Sequence, residues 1–299
     1  MQKKILAIYY SQSGQLGEIM DAFISPFPQS NYSVETVQIF PEEIYPFPWS
    51  AKSFFSVMPD SVSGIPIKLK PFFCKEEKYD LIILGYQAWF LSPSIPINSL
   101  MKDARFLNLL KDTPVITITG ARNMWLSAYS KIKQALTSAG ARHTGNIALV
   151  DTHPNPISFV TIFHWMLHGK KDRYLGIFPK PGVSEKDIKH SAIFGQMALE
   201  YFNNNTGKNL QAELVQAGAV KLNYPLMVIE GTASKIFKAW ATFIHQRKNK
   251  APWLVAFKYY LLVAFFIGAP ILLTIDFIFI KPFSARRIAK RKNFFLHLD

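Results

Sequence analysis

A turn rich in hydroxyl groups follows the first apolar segment of the chain. Residues 5–10 are apolar or aromatic and too few for a helix, so they predict a buried strand. Ser11, Ser13 and Gly14 come next, and residues 16–23 follow with helical spacing. Such a turn directs backbone N–H groups and a helix dipole at one spot, which suits a phosphate group. Serine and glycine are also common in ordinary turns, so both interpretations remain open for this turn alone.

Apolar segments alternate with helical patterns along the chain. This alternation predicts an α/β protein with a doubly wound, five-stranded parallel sheet, and such sheets bind ligands beyond the carboxyl ends of their strands. The proline-rich segment 41–71 predicts at most one short helix, around 50–57. The predicted strands cover 5–10, 34–40, 79–85, 114–119 and 146–151, and the predicted helices cover 96–110, 126–138, 184–203, 210–219 and 224–246.

Bulky aromatic residues follow the third predicted strand. Trp89 and Phe90 stand just past residues 79–85, where a side chain at the sheet edge can stack on a planar ring. A tryptophan that only fills the core is the alternative at this position. A third turn, 119–125, follows the fourth predicted strand, so three turns are expected at one edge of the sheet.

These turns resemble the flavin-binding loops of the flavodoxin family. Ser11, Ser13 and Gly14 match the family's phosphate loop, whereas Leu16 stands where a threonine is usual, so one hydroxyl is missing. The other two turns resemble the loops that pack the flavin ring and its ribityl chain. The resemblance implies FMN as cofactor and the strand order 2-1-3-4-5. The cofactor-binding residues that it implies are Ser11, Gln12, Ser13, Gly14, Gln15, Leu16, Gln87, Ala88, Trp89, Phe90, Thr119, Gly120, Arg122 and Asn123.

The chain is longer and more basic than a plain flavodoxin, with 299 residues and a net charge of +14. We expect a domain over 1–204 that carries an apolar insert, 152–183, and a helical extension over 205–299. A linker is predicted at 203–208. Long apolar inserts are typical of lids or binding segments. The single cysteine, Cys74, fits a reducing compartment, and we expect no signal peptide, so the main domain is predicted to be cytoplasmic.

The basic residues are concentrated in an apolar tail. Residues 247–299 contain ten Lys and Arg against two Asp. The hydrophobic segment 253–280 includes a run of seventeen uncharged residues, 259–275, at the short end for a spanning helix. Together these features favour an anionic membrane surface over nucleic acid as the partner of residues 253–299. A helix buried in the protein core is the alternative for the hydrophobic segment. Because Pro270 predicts a break, we expect either one kinked transmembrane helix or a re-entrant or in-plane pair.

The sequence contains no pattern for metal or nucleophilic chemistry. His164 and His168 lie four residues apart but lack the glutamate of a zinc protease, so no metal site is expected. The hard chemistry must therefore come from the flavin. His153 and Tyr86 are the candidates for proton transfer because both sit at predicted strand ends, and a structural role is the alternative for each.

The chain as a whole also resembles a narrower family, the dialkylresorcinol condensing enzymes, in its opening segment, in residues 86–96 and in its basic apolar extension. This resemblance implies a flavin-dependent aromatase of bacterial pigment biosynthesis. Its substrate would be a hydrophobic 2,5-dialkylcyclohexane-1,3-dione, and a ketosynthase and an acyl carrier protein would act in the same pathway. Two alternatives remain open: an NAD(P)H:quinone reductase of the same fold, and a membrane-tethered flavodoxin that only carries electrons.

Overall fold

The computed structural model describes residues 2–204 and 209–298. At its centre is a parallel sheet whose strands are β1 (Lys3–Tyr9), β2 (Tyr32–Gln38), β3 (Leu81–Tyr86), β4 (Pro114–Ala121) and β5 (Arg142–Val150). The five strands lie in the order β2-β1-β3-β4-β5, all parallel. The predicted α/β fold and its flavodoxin-like strand order are therefore confirmed.

Helices cover both faces of the sheet. They are α1 (Gln15–Ile24), α2 (Ala51–Ser56), α3 (Met58–Ser63), α4 (Ile95–Leu100), α5 (Ala104–Leu110), α6 (Leu126–Ser138), α7 (Asn155–His168), α8 (Glu185–Asn204), α9 (Leu210–Gln216) and α10 (Tyr224–His245). The core on one face is formed with α1, α8 and α9, and the core on the other with α4, α5 and α6. Each buried strand is thus covered on both sides, which explains the continuous apolar run of β3.

Three element predictions need correction. Two short helices, α2 and α3, replace the single one expected around 50–57, because Pro59 sits in the first turn of α3, where its missing N–H costs nothing. The pattern at 96–110 is divided into α4 and α5 at Asp103, whose carboxylate caps α5. Strand β5 begins at Arg142 rather than 146, since it lies at the edge of the sheet, where polar residues are tolerated.

Helices α1 and α8 pack closely, and a glycine makes the approach possible. A Cβ at Gly195 would lie 1.9 Å from the carbonyl oxygen of Phe23. One turn earlier, the hydroxyl of Ser191 donates to the carbonyl oxygen of Ile19 at 3.3 Å. Helix α1 begins at the first of the three turns, so this packing fixes the position of that turn.

The extension packs against the domain rather than standing apart from it. Met227 of α10 and Phe295 near the C-terminus belong to the same buried core as Trp125 and Tyr129. The predicted linker at 203–208 falls in part outside the described residues. The boundary near residue 204 stays a prediction.

One long helix, Ala251–Phe283, is named here the apolar helix. It consists of α11 (Ala251–Val263), α12 (Ala269–Ile275), the π-helical segments Ala264–Gly268 and Asp276–Ile280, and a final 3₁₀ turn. A basic helix, α13 (Ala285–Leu296), follows it. The helix continues through Pro270. A wider π turn directly precedes the proline and accommodates the backbone hydrogen bond that proline cannot donate. Of the two expected geometries, the structure has one continuous helix and not a hairpin pair.

A buried carboxyl group joins α10 to the start of α6. An oxygen of Glu230 accepts the Ser127 N–H at 2.6 Å, and Glu230 is 1 % exposed. Burial raises the pKa of this carboxyl from 4.5 to about 7, although backbone hydrogen bonds oppose the shift.

We expect Glu230→Gln to remove a pH dependence of stability. Because the folded-state pKa lies above the unfolded-state value, the folded protein holds the proton more tightly, and wild-type stability falls as pH rises from about 4.5 through about 7. Above that range the variant should be more stable than wild type by about 3 kcal/mol. Urea unfolding at several pH values measures this. If the free energy of unfolding changed with pH equally in wild type and variant, the prediction would be contradicted.

Candidate active site

Three turns at the carboxyl edge of the sheet enclose a groove. They follow β1, β3 and β4, and the groove has a cavity volume of about 230 Å³. The predicted binding residues that line it are Gln12, Ser13, Gln15, Leu16, Gln87, Ala88, Trp89, Phe90, Gly120 and Arg122. Ser11, Gly14, Thr119 and Asn123 lie outside this lining.

The first turn has the features of an anion site. Gly14 precedes α1 in the left-handed conformation, with φ +86°, and supplies no side chain to cap the helix. The first N–H groups of a helix have no intrahelical partner, so they are available to an anion here. Ser11 is 9 % exposed, and its buried hydroxyl has no hydrogen-bond partner in the described part of the chain. Such a hydroxyl calls for an explanation, and a bound phosphate is one.

Hydrogen bonds fix the first turn against its neighbours. The Gln12 backbone N–H donates to the side-chain oxygen of Gln87 at 3.2 Å, which joins the first and second turns. The Gln12 side-chain amide donates to the carbonyl oxygens of Tyr45 and Pro46 at 3.1 and 3.0 Å. The proline-rich segment 41–71 is thereby tied to the groove.

Gln15 holds the apolar insert. Its side chain donates to the Val183 carbonyl at 3.1 Å and accepts the Val183 N–H at 3.0 Å. The preceding Gly182 has φ +82°, and a Cβ there would lie 2.7 Å from the Gln15 oxygen and 2.9 Å from the Trp165 ring. The insert therefore closes over α1 only with glycine at this position.

The second turn is a tight hairpin, Ala88–Trp89 with Ser92–Pro93, and its two central residues are strained. Phe90 and Leu91 have φ of 47° and 61°, a conformation in which bulky residues are rare. Trp89 packs edge-on against the rings of Tyr45 and Trp49, at 5.1 and 5.5 Å. Strain of this kind is retained where surrounding contacts enforce it, and here it directs aromatic side chains into the groove.

The third turn places Arg122 between two cavities. Its guanidinium donates to the Asn155 side-chain oxygen at 2.7 Å and lies about 6 Å from the rings of Phe159 and Phe265. Burial lowers the pKa of Arg122 to about 10. Asn123 also donates to the Asn155 oxygen, and the Thr119 hydroxyl donates to the Tyr86 carbonyl, so both brace the turn.

The second cavity adjoins the groove. Its volume is about 330 Å³, and it lies between α7, α10 and the apolar helix. The walls that it shares with the groove are Phe54, Ala88, Phe90, Arg122 and Phe163. Most of its other lining is apolar, including Ile236, Phe237, Phe265 and Leu272. The two cavities therefore meet at the half-buried cation of Arg122.

The structure does not bring the two proton-transfer candidates into the groove. Tyr86 is fully buried in the core with Trp125 and Tyr129, and its hydroxyl has no partner among the described residues. His153 lies in a separate cavity and contacts the carboxylate of Asp151 at 2.6 Å. Neither position supports a step on a ligand in the groove.

Sequence reasoning missed one wall of the groove. Phe47, Trp49, Trp165, Met166 and Gly182 line it and come from the proline-rich segment and the insert. The density of aromatic residues in those two segments was the available signal. Among the described residues, no cluster of three or more possible metal-ligand side chains is present.

No protein-family model and no curated protein matches the chain. Among solved structures, the chain is similar to a flavoprotein in complex with FMN from Lactobacillus acidophilus (19 % identity, 49 % of this chain, 93 % of that one, TM-score 0.41). It is also similar to a putative flavoprotein from Bacteroides eggerthii (18 %, 50 % and 89 %, TM-score 0.40) and to a flavone reductase (10 %, 69 % and 65 %, TM-score 0.38). The fold assignment rests on the strand order and not on these distant similarities.

Proposed function

We propose that the chain is an FMN-dependent oxidoreductase that acts on a hydrophobic cyclic substrate. The observation that carries this proposal is the shared wall between a polar-ended groove and an apolar cavity, at Phe90 and Arg122. The groove suits a phosphate at its polar end and a planar ring at its aromatic end. The apolar cavity suits an alkyl group.

Each turn has a separate task in this proposal. Ser11, Ser13 and the N-terminus of α1 hold the phosphate, and Trp89 flanks the ring. Oxidised FMN would accept the two electrons and two protons that the substrate loses. None of the side chains that line the groove can act as such an acceptor. Arg122 faces the substrate, where a fixed cation stabilises the negative charge that develops on a carbonyl oxygen when the neighbouring carbon is deprotonated.

The finer proposal is aromatisation of a 2,5-dialkylcyclohexane-1,3-dione to a 2,5-dialkylresorcinol. The apolar cavity supports it, because one alkyl group fits there while the ring remains at Arg122. A ketosynthase and an acyl carrier protein are the proposed pathway partners. The proposed location is the cytoplasmic face of a membrane, reached through residues 253–299, and the apolar helix is long and apolar enough for contact with lipid.

Anaerobic turnover distinguishes the proposal from its alternatives. The aromatase should convert a long-chain dione while FMN absorbance at its visible maximum bleaches. A quinone reductase should instead oxidise NAD(P)H rapidly, and an electron carrier should convert neither. The last two results would each overturn the proposed reaction while leaving FMN binding intact.

Filling the apolar cavity should lower activity on substrates with long alkyl chains. Ala233 lines this cavity, and Ala233→Phe should lower kcat/KM for a long-chain dione about tenfold, because an alkyl group loses its pocket. Unsubstituted cyclohexane-1,3-dione, which does not enter the cavity, is the control and should react at the wild-type rate. Equal losses for both substrates would contradict this assignment of the cavity.

A further inference from the structure

The apolar helix contacts α10 of the extension and α7 of the domain along nearly its whole length. Near its start, the rings of Phe257 and Phe237 lie 5.2 Å apart. In its middle, Phe265 stacks on Phe159 of α7 at 4.4 Å. Near its end, the Tyr224 hydroxyl donates to the buried carboxylate of Asp276 at 2.8 Å.

These contacts extend over the thickness of a bilayer core. From Phe257 to Asp276 the helix rises about 29 Å, and the hydrocarbon core of a membrane is about 30 Å thick. Beyond the helix, Phe295 of α13 packs on Trp125 in the domain core, and the Leu296 carbonyl accepts from Gln211 at 3.0 Å. A spanning helix would carry the elements packed along it into lipid, including α10 with its exposed Lys235 and Lys238. This arrangement favours both ends of the apolar helix on one side of a membrane.

The opposite face of the helix is an exposed apolar stripe, named here the outer stripe. Every fourth position along it is a large exposed apolar residue: Val255, Tyr259, Val263, Ile267, Ile271, Ile275, Phe279 and Phe283. In a regular α-helix a spacing of four drifts around the axis, because one turn takes 3.6 residues. The two π-helical segments have wider turns, which offset part of this drift.

Basic residues stand at both ends of the outer stripe. Those before it are Arg247, Lys248 and Lys250, and those after it are Lys281, Arg286, Arg287, Lys290, Arg291 and Lys292, all exposed. An apolar stripe with cations at each end matches a helix that lies in the plane of an anionic leaflet, with its charges at the headgroups.

We propose that the outer stripe is a docking surface for an anionic lipid leaflet, and that the apolar helix lies in the plane of the membrane without crossing it. This inference rests on the proposed membrane association and is independent of FMN. The apolar cavity between the helix and the domain then lies next to the lipid interface.

Vesicle sedimentation tests the surface. The full chain should bind phosphatidylcholine vesicles containing phosphatidylglycerol at least about tenfold more tightly than pure phosphatidylcholine vesicles. Ile267→Asp and Ile271→Asp should each lower binding about tenfold. Ile44→Asp makes the same change at an even more exposed isoleucine in the domain and should have no effect. If the full chain binds neither kind of vesicle, membrane association itself is overturned. This outcome includes the case in which a second copy of the chain covers the outer stripe.

Side-selective labelling tests the orientation. In a Cys74→Ser background, Gln246→Cys and Asn293→Cys place single thiols at exposed positions on either side of the apolar helix. A membrane-impermeant maleimide, added on the side where the protein was added, should label both variants equally. If the protein binds the membrane but one of the two thiols is labelled only after detergent is added, the in-plane orientation is overturned. Membrane association would still stand.

Discussion

Replacing Gly195 with alanine should destabilise the protein by at least about 3 kcal/mol. The new methyl group would lie 1.9 Å from the carbonyl oxygen of Phe23, which is backbone and cannot rotate away. Helices α1 and α8 would have to separate, and the buried Ser191–Ile19 hydrogen bond would be lost with them. Because α1 begins at the first turn, the groove should lose its geometry as well.

The midpoint of urea unfolding measures this effect, and a matched glycine provides the control. Gly268 also lies in a helix, but a Cβ there meets nothing nearer than 3.9 Å. Gly268→Ala should therefore be neutral or stabilising by up to about 1 kcal/mol, from helix propensity. Equal midpoints for Gly195→Ala and wild type would show that α1 and α8 do not pack as described.

Replacing Ser13 with aspartate should weaken FMN binding at least about 100-fold, or about 2.7 kcal/mol. The variant loses a hydroxyl donor and places a carboxylate beside a phosphate dianion. Isothermal titration with FMN measures the loss. Riboflavin has no phosphate, so its weaker binding should change little.

Ser25→Asp is the matched control for this variant. It introduces the same charge at the exposed C-terminal end of the same helix, away from the groove. Its FMN affinity should equal that of wild type. If both aspartates weakened binding equally, the effect would come from net charge and not from a phosphate site at the first turn.

Much of the fold was predictable because local patterns determine it. The buried run of β3 and the spacing of α6 each indicate one element, and α6 begins and ends at the predicted residues. The three turns were predictable because carboxyl ends of parallel strands meet at one edge.

The remainder depends on contacts between distant segments. Trp49 and Trp165 reach the groove only because the proline-rich segment and the insert fold over it, which no local pattern encodes. Tyr86 ends a strand, as expected, but its side chain faces the core with Tyr129, since alternate residues of a strand point to opposite faces. Pro270 predicts a break or kink in the apolar helix, but the π turn that precedes it keeps the helix continuous.

The most direct test of the account is a fluorescence titration of FMN with the purified apoprotein. Saturable quenching of flavin emission is expected, because the ring would lie against Trp89 with its phosphate at Ser11 and Ser13. Flavin emission that stays constant as protein is added would contradict FMN binding, and the proposed oxidoreductase function would be lost with it.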